Sequence, residues 1–420
     1  MRIIERLYTN KNHVLNYFLT LLIIISSKTL FFGIIYQKLT IHFTLVVFLI
    51  VNMIIKKNMV KKRMLQIYFI FCVLLLFVSL FHIEDIVYDT KSYLGALVFF
   101  AEILVIGMLF ANIVNREEFA ICYVNIMAII SCISLFFYFW LLIDQSSAVS
   151  ASSIFISGRS KYIANPLYTY GWQYELSNGY IYNSIFFRNA GPFWEPGGFQ
   201  GFIVIGLFFL MNYKHLFKKT KILMIIFLVT ILTTQSTTAY IIIIISFIGI
   251  GKKYADSFFT DNYNGSQKNR YFNYFITLII LLLIAFFVIY SNTVSNKFSE
   301  DNGSYIARSN DINTVLSTML YNPFAGIGLG KTGAELSNRV TVSATTILSL
   351  IESFGIPFAL LYTYFFFKGC IQLFKPENLF QKIMYICCFF LILMSETLYY
   401  LPLYAFILFA SEQKCSKNNY

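Results

Sequence analysis

Long apolar runs, broken by short polar stretches, recur along nearly the whole chain. A helix needs about 20 mostly apolar residues to cross a bilayer. Soluble folds rarely contain even one such run, and this chain has at least eight. The pattern predicts helices near residues 14–36, 41–55, 64–83, 93–113, 119–143, 197–213, 222–234, 237–250, 271–290, 344–367, 383–395 and 397–411. The expected fold is all-α and polytopic, with about 12 transmembrane helices.

Two of these assignments rest on charge as well as hydropathy. Segments 222–250 and 383–411 are each long enough to be a single helix. Both have basic flanks at both ends: Lys214, Lys218, Lys219 and Lys221 against Lys252 and Lys253, and Lys368, Lys375 and Lys382 against Lys414 and Lys417. Cytoplasmic loops carry the excess of Lys and Arg, so matching flanks require an even number of crossings. Each segment is therefore expected to be two short helices, turning near Gln235-Ser236-Thr237 and near Glu396. The first run, Val14 to Tyr36, follows a basic leader, as a signal peptide would. It contains Lys28, exceeds a signal core in length and lacks a clear small-residue cleavage site. It reads as an uncleaved first helix.

With the N-terminus inside, 22 of the 32 Lys and Arg residues fall in predicted cytoplasmic segments and nine in predicted outer ones, Lys28 lying within the first helix. Seven of those nine sit in two long loops. The expected organisation is a bundle of five transmembrane helices over 1–143, an extracytoplasmic loop over 144–196, helices six to nine over 197–290, a second extracytoplasmic loop over 291–343, and helices ten to twelve with a cytoplasmic tail over 344–420. Both termini are expected in the cytoplasm. Loops of this length tend to be functional or disordered.

Composition narrows the chemistry. Charged residues make up 12% of the chain, against roughly 25% in ordinary soluble domains. The net charge of +12 is distributed in clusters between apolar runs, which marks cytoplasmic loops rather than a nucleic-acid surface. Six cysteines lie in apolar runs and Cys415 in the tail, so no disulfide framework is implied. The four His residues are scattered without metal-ligand spacing. No paired-Asp motif for a metal-bound nucleotide sugar is present, and neither a metal nor another cofactor is expected.

The first long loop is rich in rings and amides: Asn165, Tyr168, Tyr170, Trp172, Tyr174, Asn178, Tyr180, Tyr182 and Asn183. Such rings suit an interfacial anchor at headgroup level, and equally a carbohydrate surface on which they stack against sugar faces. The loop ends in Arg188-Asn-Ala-Gly191-Pro-Phe-Trp194-Glu195-Pro196-Gly197-Gly198-Phe-Gln200-Gly201. Charges at membrane depth are costly and usually functional, and glycines allow tight turns and close approach of a ligand. Arg188 and Glu195 are also placed to pair with each other and fix the loop.

A second stretch runs from Ser304 through Arg308-Ser-Asn-Asp311 to Asn322-Pro-Phe-Ala-Gly326-Ile-Gly328-Leu-Gly330-Lys331. Arg339, Ser343-Ala-Thr-Thr346 and Glu352-Ser-Phe-Gly355-Ile-Pro357 follow. The alternating glycines lack the strand–turn–helix context of a nucleotide loop. Glu352 falls inside a predicted membrane helix, either as a helix–helix hydrogen bond or as part of a site.

At these residues the chain resembles the O-antigen polymerase and ligase superfamily (Wzy-type and WaaL-type). The resemblance covers about 188–201 and 304–357, roughly a sixth of the sequence; elsewhere only the topology agrees. It implies a GT-C-like membrane-embedded glycosyltransferase of the bacterial cytoplasmic (inner) membrane, inverting and metal-independent, with no cofactor. Its substrates would be polyprenyl-diphosphate-linked oligosaccharides, with membrane lipid around it and a flippase and chain-length regulator as partners. Arg188, Glu195 and Arg308 would be catalytic. Gly191, Trp194, Gly197, Gly198, Lys331, Arg339 and Glu352 would line the substrate site. Ligases of the superfamily carry a His-Asn pair before the Glu-x-x-Gly helix. Here Ser343-Ala344-Thr345 stands in that place and no His follows His215. The expected function is therefore polymerisation of lipid-linked repeat units into O-antigen, capsule or exopolysaccharide. The alternatives are a ligase moving finished glycan to an acceptor, and a non-enzymatic transporter or flippase. Glu195 is the expected general base, with Glu352 behind it.

Overall fold

A computed structural model of the protein describes residues 2–27, 29, 38–55, 58–88, 90–152, 164–165, 167–169, 188–246, 303–329 and 345–413. These residues are mostly helical. The helices are α1 (Arg2–Ile25), α2 (Lys38–Ile55), α3 (Lys62–Phe81), α4 (Ile83–Tyr88), α5 (Thr90–Ile113), α6 (Arg116–Ile143), α7 (Gln145–Ser152), α8 (Pro196–Asn212) and α9 (Thr220–Thr234). They continue with α10 (Thr237–Ser246), then α11 (Gly303–Tyr321), α12 (Thr346–Phe354), α13 (Ile356–Phe374), α14 (Leu379–Ser395) and α15 (Pro402–Ala410). One antiparallel strand pair, β1 (Ala164–Asn165) with β2 (Tyr168–Thr169), departs from the all-α expectation.

Among the described residues, four stretches are long and apolar enough to cross a membrane: Lys62–Phe81, Tyr93–Ile113, Arg116–Ile143 and Ile356–Phe374. Burial on α3 shows what medium they need. Met64, Ile67, Phe71, Leu75 and Val78 form one buried stripe at helical spacing. Leu65, Phe69, Val73, Leu76 and Leu80, off that stripe, are exposed by 45–68%. A helix apolar on all sides with one stripe covered leaves the rest for an apolar solvent. The chain is a membrane protein.

The structure divides into two compact units. One comprises residues 1–126, 307–375 and 393–420. At its centre is α15, buried along its whole length, against which α5 and α13 pack. Two glycines permit the close approach. A Cβ on Gly107 would lie 2.5 Å from the Ala405 carbonyl carbon, and one on Gly369 would overlap the Ile407 carbonyl oxygen. Without a hydrophobic drive between helices in lipid, such small-residue contacts are what bring backbones together. Near the end of α5, the Gln413 amide donates to the carbonyls of Ala111 and Val114, both at 2.9 Å. Arg116 donates to the Gln372 carbonyl at 2.7 Å. These bonds satisfy carbonyls that helix ends leave open.

The other unit comprises residues 127–306 and 376–392. Here α8 is almost wholly buried and packs on α9. The Asn212 amide at its end donates to the Tyr385 hydroxyl, and Phe208 meets Tyr385 edge-on. The break between α9 and α10 falls at Gln235-Ser236, with Gln235 in the left-handed region at φ +48°, as the matching Lys flanks predict. Similarly, α14 and α15 are separate helices, parted at Glu396–Leu401.

Three boundaries differ from expectation. The helix predicted over 344–367 is two helices, because Gly355 takes φ +82° and ends α12 while Pro357 starts α13. The first helix ends at Ile25 in a Ser26-Ser27 turn rather than running to 36. The second long loop contains a 19-residue helix, α11. The helix predicted at 271–290 lies outside the described residues.

Candidate functional site

The stretch from Arg188 to Glu195 is fastened to the interruption between α9 and α10. Asn189, fully buried, is the fastener. Its backbone N–H donates to the Thr233 carbonyl at 2.9 Å. Its amide donates to the hydroxyls of Thr233 at 2.9 Å and Ser134 at 3.3 Å. Its Oδ1 accepts the Gly191 N–H at 2.9 Å, closing a local turn of the kind Asn side chains make. Gly191 has φ +53°, and a Cβ there would lie 2.8 Å from the Phe199 ring. Only glycine fits both constraints. The Gly191 carbonyl in turn accepts the Thr169 N–H of β2 at 2.9 Å, and Tyr168 beside it stacks on Phe137.

Arg188 is half-buried and donates from Nε to the Thr234 carbonyl at 3.4 Å, at the negative end of α9. Its charge also acts on the Tyr240 hydroxyl, which itself donates to the Leu232 carbonyl at 3.0 Å. Glu195 is the N-cap residue of α8. Its carbonyl accepts the Phe199 N–H at 3.0 Å while its carboxylate makes no capping bond. The ion pairs among the described residues do not include one between Arg188 and Glu195. Trp194 is 36% exposed, and Gly197 and Gly198 form the first turn of α8 behind Pro196.

In the other unit, the structure joins two motifs that are well apart in the chain. Asn322–Gly328 forms a turn locked onto the α12–α13 break. Ile327 N–H donates to the Glu352 carbonyl at 2.7 Å, and Ile356 N–H to the Pro323 carbonyl at 2.8 Å. The Asn322 side chain accepts the Ala325 N–H at 3.2 Å. Gly326, at φ +66°, lies against the Glu352 carbonyl, and Gly355 against the Phe324 carbonyl. His82 closes the turn from outside, its Nε2 3.3 Å from the Ala325 carbonyl.

Glu352 is fully buried on α12. The Tyr399 hydroxyl lies near Ser349, Ser353 and the Glu352 side chain. Thr346 at the start of α12 binds the unwound segment after α14: its N–H and hydroxyl donate to the Glu396 carbonyl at 3.0 and 2.6 Å, and its hydroxyl accepts the Leu398 N–H at 2.7 Å. The result is a polar patch of Thr346, Ser349, Glu352, Ser353 and Tyr399 at two helix interruptions.

Of the residues singled out in the sequence, Arg188, Gly191, Trp194, Glu195, Gly197 and Gly198 lie in one unit, and Glu352 with the Gly326 turn lies in the other. Arg308 is on α11, also in the second of these. Lys331, Arg339, Ser343, and the ring-rich stretch from Tyr170 to Asn183 lie outside the described residues. Sequence reasoning missed Asn189, His82, Tyr399 and Gln200. Asn189 had a signal in its Asn-Ala-Gly context. Gln200 is fully buried on α8 with its amide unbonded among the described residues. No ligand cluster of three or more His, Cys, Asp or Glu side chains occurs among the described residues. No protein family, curated protein or solved structure matches the chain.

Proposed function

We propose that this protein is a multi-pass enzyme of the bacterial cytoplasmic membrane that joins polyprenyl-diphosphate-linked oligosaccharide units into a surface polysaccharide. About twelve crossings, cytoplasmic termini and outward loops at 144–196 and 291–343 belong to the same proposal, and the Lys and Arg distribution supports them. The observation that carries the reading is that both stretches resembling the polymerase superfamily fold as glycine-dependent turns fastened to interrupted helices. Irregular backbone at membrane depth is tolerated where protein buries it or a cavity runs beside it. A buried carboxylate there is a functional-site hypothesis by default.

In the proposed reaction, a sugar hydroxyl of the acceptor attacks the anomeric carbon of the donor with inversion. The bond from that carbon to the diphosphate oxygen breaks, and polyprenyl diphosphate leaves with the electron pair. Glu195 takes the hydroxyl proton. Arg188 and Arg308 stabilise the charge developing on the diphosphate through bidentate, charge-assisted hydrogen bonds. Trp194, Gly191, Gly197 and Gly198 shape the donor side, and Lys331, Arg339 and Glu352 complete the substrate contacts. A flippase supplies the lipid-linked units and a chain-length regulator sets when extension stops. A strain lacking the protein is expected to carry single repeat units on the lipid carrier or acceptor. Lipid-linked units trapped on the cytoplasmic face would instead mark a flippase.

A further inference from the structure

The contact between α2 and α5 leaves an apolar groove of about 510 Å³ where α2 runs out of its helix. Ile50, Met53, Ile54, Val60 and Leu109 line it, with Asn58 as the polar side chain at its edge. The volume falls in the range of roughly 300–1,000 Å³ usual for small-molecule sites. The groove's rim is held in place. Asn112, one turn beyond Leu109 on α5, accepts the Lys61 N–H at 3.3 Å and donates to the Met59 carbonyl at 3.2 Å. That clamp sets Lys61, Lys62 and Arg63 immediately beyond the groove wall.

Three consecutive basic residues, Lys61-Lys62-Arg63, follow the groove wall. The Lys62 side chain is exposed, and that of Arg63 is 83% exposed. The neighbouring carboxylate, Glu412, lies 3.7 Å from Arg63 but only 2.6 Å from Lys368. Glu412 thus sits between Arg63 and Lys368, with Lys62 exposed beside them. An apolar groove alone accepts any lipid tail. A basic cluster at its mouth selects the headgroup, because cations beside a bilayer attract anionic lipids while a zwitterionic headgroup brings a repelled cation of its own.

We propose that this groove is a binding site for an anionic phospholipid, with an acyl chain against Ile50, Ile54 and Leu109 and its phosphate at Lys61, Lys62 and Arg63. The site is independent of the glycosyl-transfer reading. It is tested on the full-length protein in detergent by native mass spectrometry, titrating dioleoyl phosphatidylglycerol and dioleoyl phosphatidylcholine. Phosphatidylglycerol is expected to bind tighter by about tenfold or more, and a Lys62→Gln, Arg63→Gln variant to lose roughly fivefold for each cation removed. Filling the exposed groove wall with Ile54→Trp should weaken retention of the same lipid without touching the charges. Lys221→Gln, which removes an exposed cation elsewhere, should leave affinity unchanged. Equal binding of the two lipids, an unchanged affinity in the double variant, or an equal loss in Lys221→Gln would overturn the site. So would displacement by glycerol phosphate at matching concentration, since the groove would then contribute nothing.

Discussion

The backbone N–H of Ile327 donates to the carbonyl of Glu352 at 2.7 Å, tying the Asn322–Gly328 turn to the last turn of α12. The tie is reciprocal. Gly326 occupies φ +66° where the Glu352 carbonyl passes, and Gly355 occupies φ +82° where the Phe324 carbonyl passes. Each glycine leaves room for the other segment's backbone, so neither segment holds its conformation alone. The main chain at Glu352 is thereby fixed, which sets where its side chain starts.

A methyl group at either position meets two penalties, a left-handed φ and a backbone overlap. Gly326→Ala and Gly355→Ala are each expected to destabilise the protein by about 3 kcal/mol or more. Thermal unfolding in detergent would register this as a marked loss of midpoint or of folded yield. Gly95→Ala is the control. It sits in α5 with nothing within 4 Å of the added carbon, and should be neutral or slightly stabilising. Wild-type stability in Gly326→Ala would mean that the turn is not locked as described.

What the sequence made legible, and what it hid, follows from which interactions leave a residue-type trace. The breaks at Gln235 and Glu396 were readable because Lys flanks report crossing parity. The break at Gly355 was not, since membrane helices tolerate both Gly and Pro. The motifs around Gly326 and Glu352 were visible separately. Their union was hidden, because it is made by backbone N–H and carbonyl groups that every residue carries. Asn189 was overshadowed by Arg188, although its four hydrogen bonds are what hold the turn.

Asp144 gives a pH test at the end of α6. The Ser147 backbone N–H, then the hydroxyls of Ser146 and Ser147, hold its carboxyl below the usual carboxylate range. A depressed folded-state pKa contributes stability above the unfolded value and loses it as pH falls through the folded one. The protection of α7 amides, measured as exchange relative to the intrinsic rate at each pH, should therefore fall on acidification below the ordinary carboxylate range. In Asp144→Ala that protection should already be low near neutrality and change little with acid. Identical acid dependence in the two proteins would remove Asp144 from this role.

Topology rests on the distribution of Lys and Arg, 22 against nine. In a background freed of native cysteines, Ser152→Cys and Asn338→Cys are expected to react with an impermeant thiol reagent in intact cells. A cysteine at Thr260 should react only after the membrane is opened. Labelling at 260 in intact cells, with 152 and 338 protected, would invert the orientation and remove both arginines from the outer face.

The catalytic proposal turns on two cations and one carboxylate. Arg188 donates its Nε–H to the Thr234 carbonyl, which orients the guanidinium at the end of α9. Arg188→Ala and Arg308→Ala should each lower turnover by roughly 10²-fold or more, the scale of losing one preorganised donor. Lys at either position should rescue poorly, because it keeps the charge but not the planar fork. Glu195→Gln preserves shape and removes the proton acceptor, with an expected loss of about 10²–10⁴-fold. A purely structural role predicts a different pattern. Arg188 would then matter through the α9 terminus, and its variants would lose folded yield in proportion to activity. Measuring polymer length per folded molecule separates the two. Full-length polymer from a well-folded Arg188→Ala, Arg308→Ala double variant would sink the diphosphate role, because no other pair of cations has been assigned to that charge.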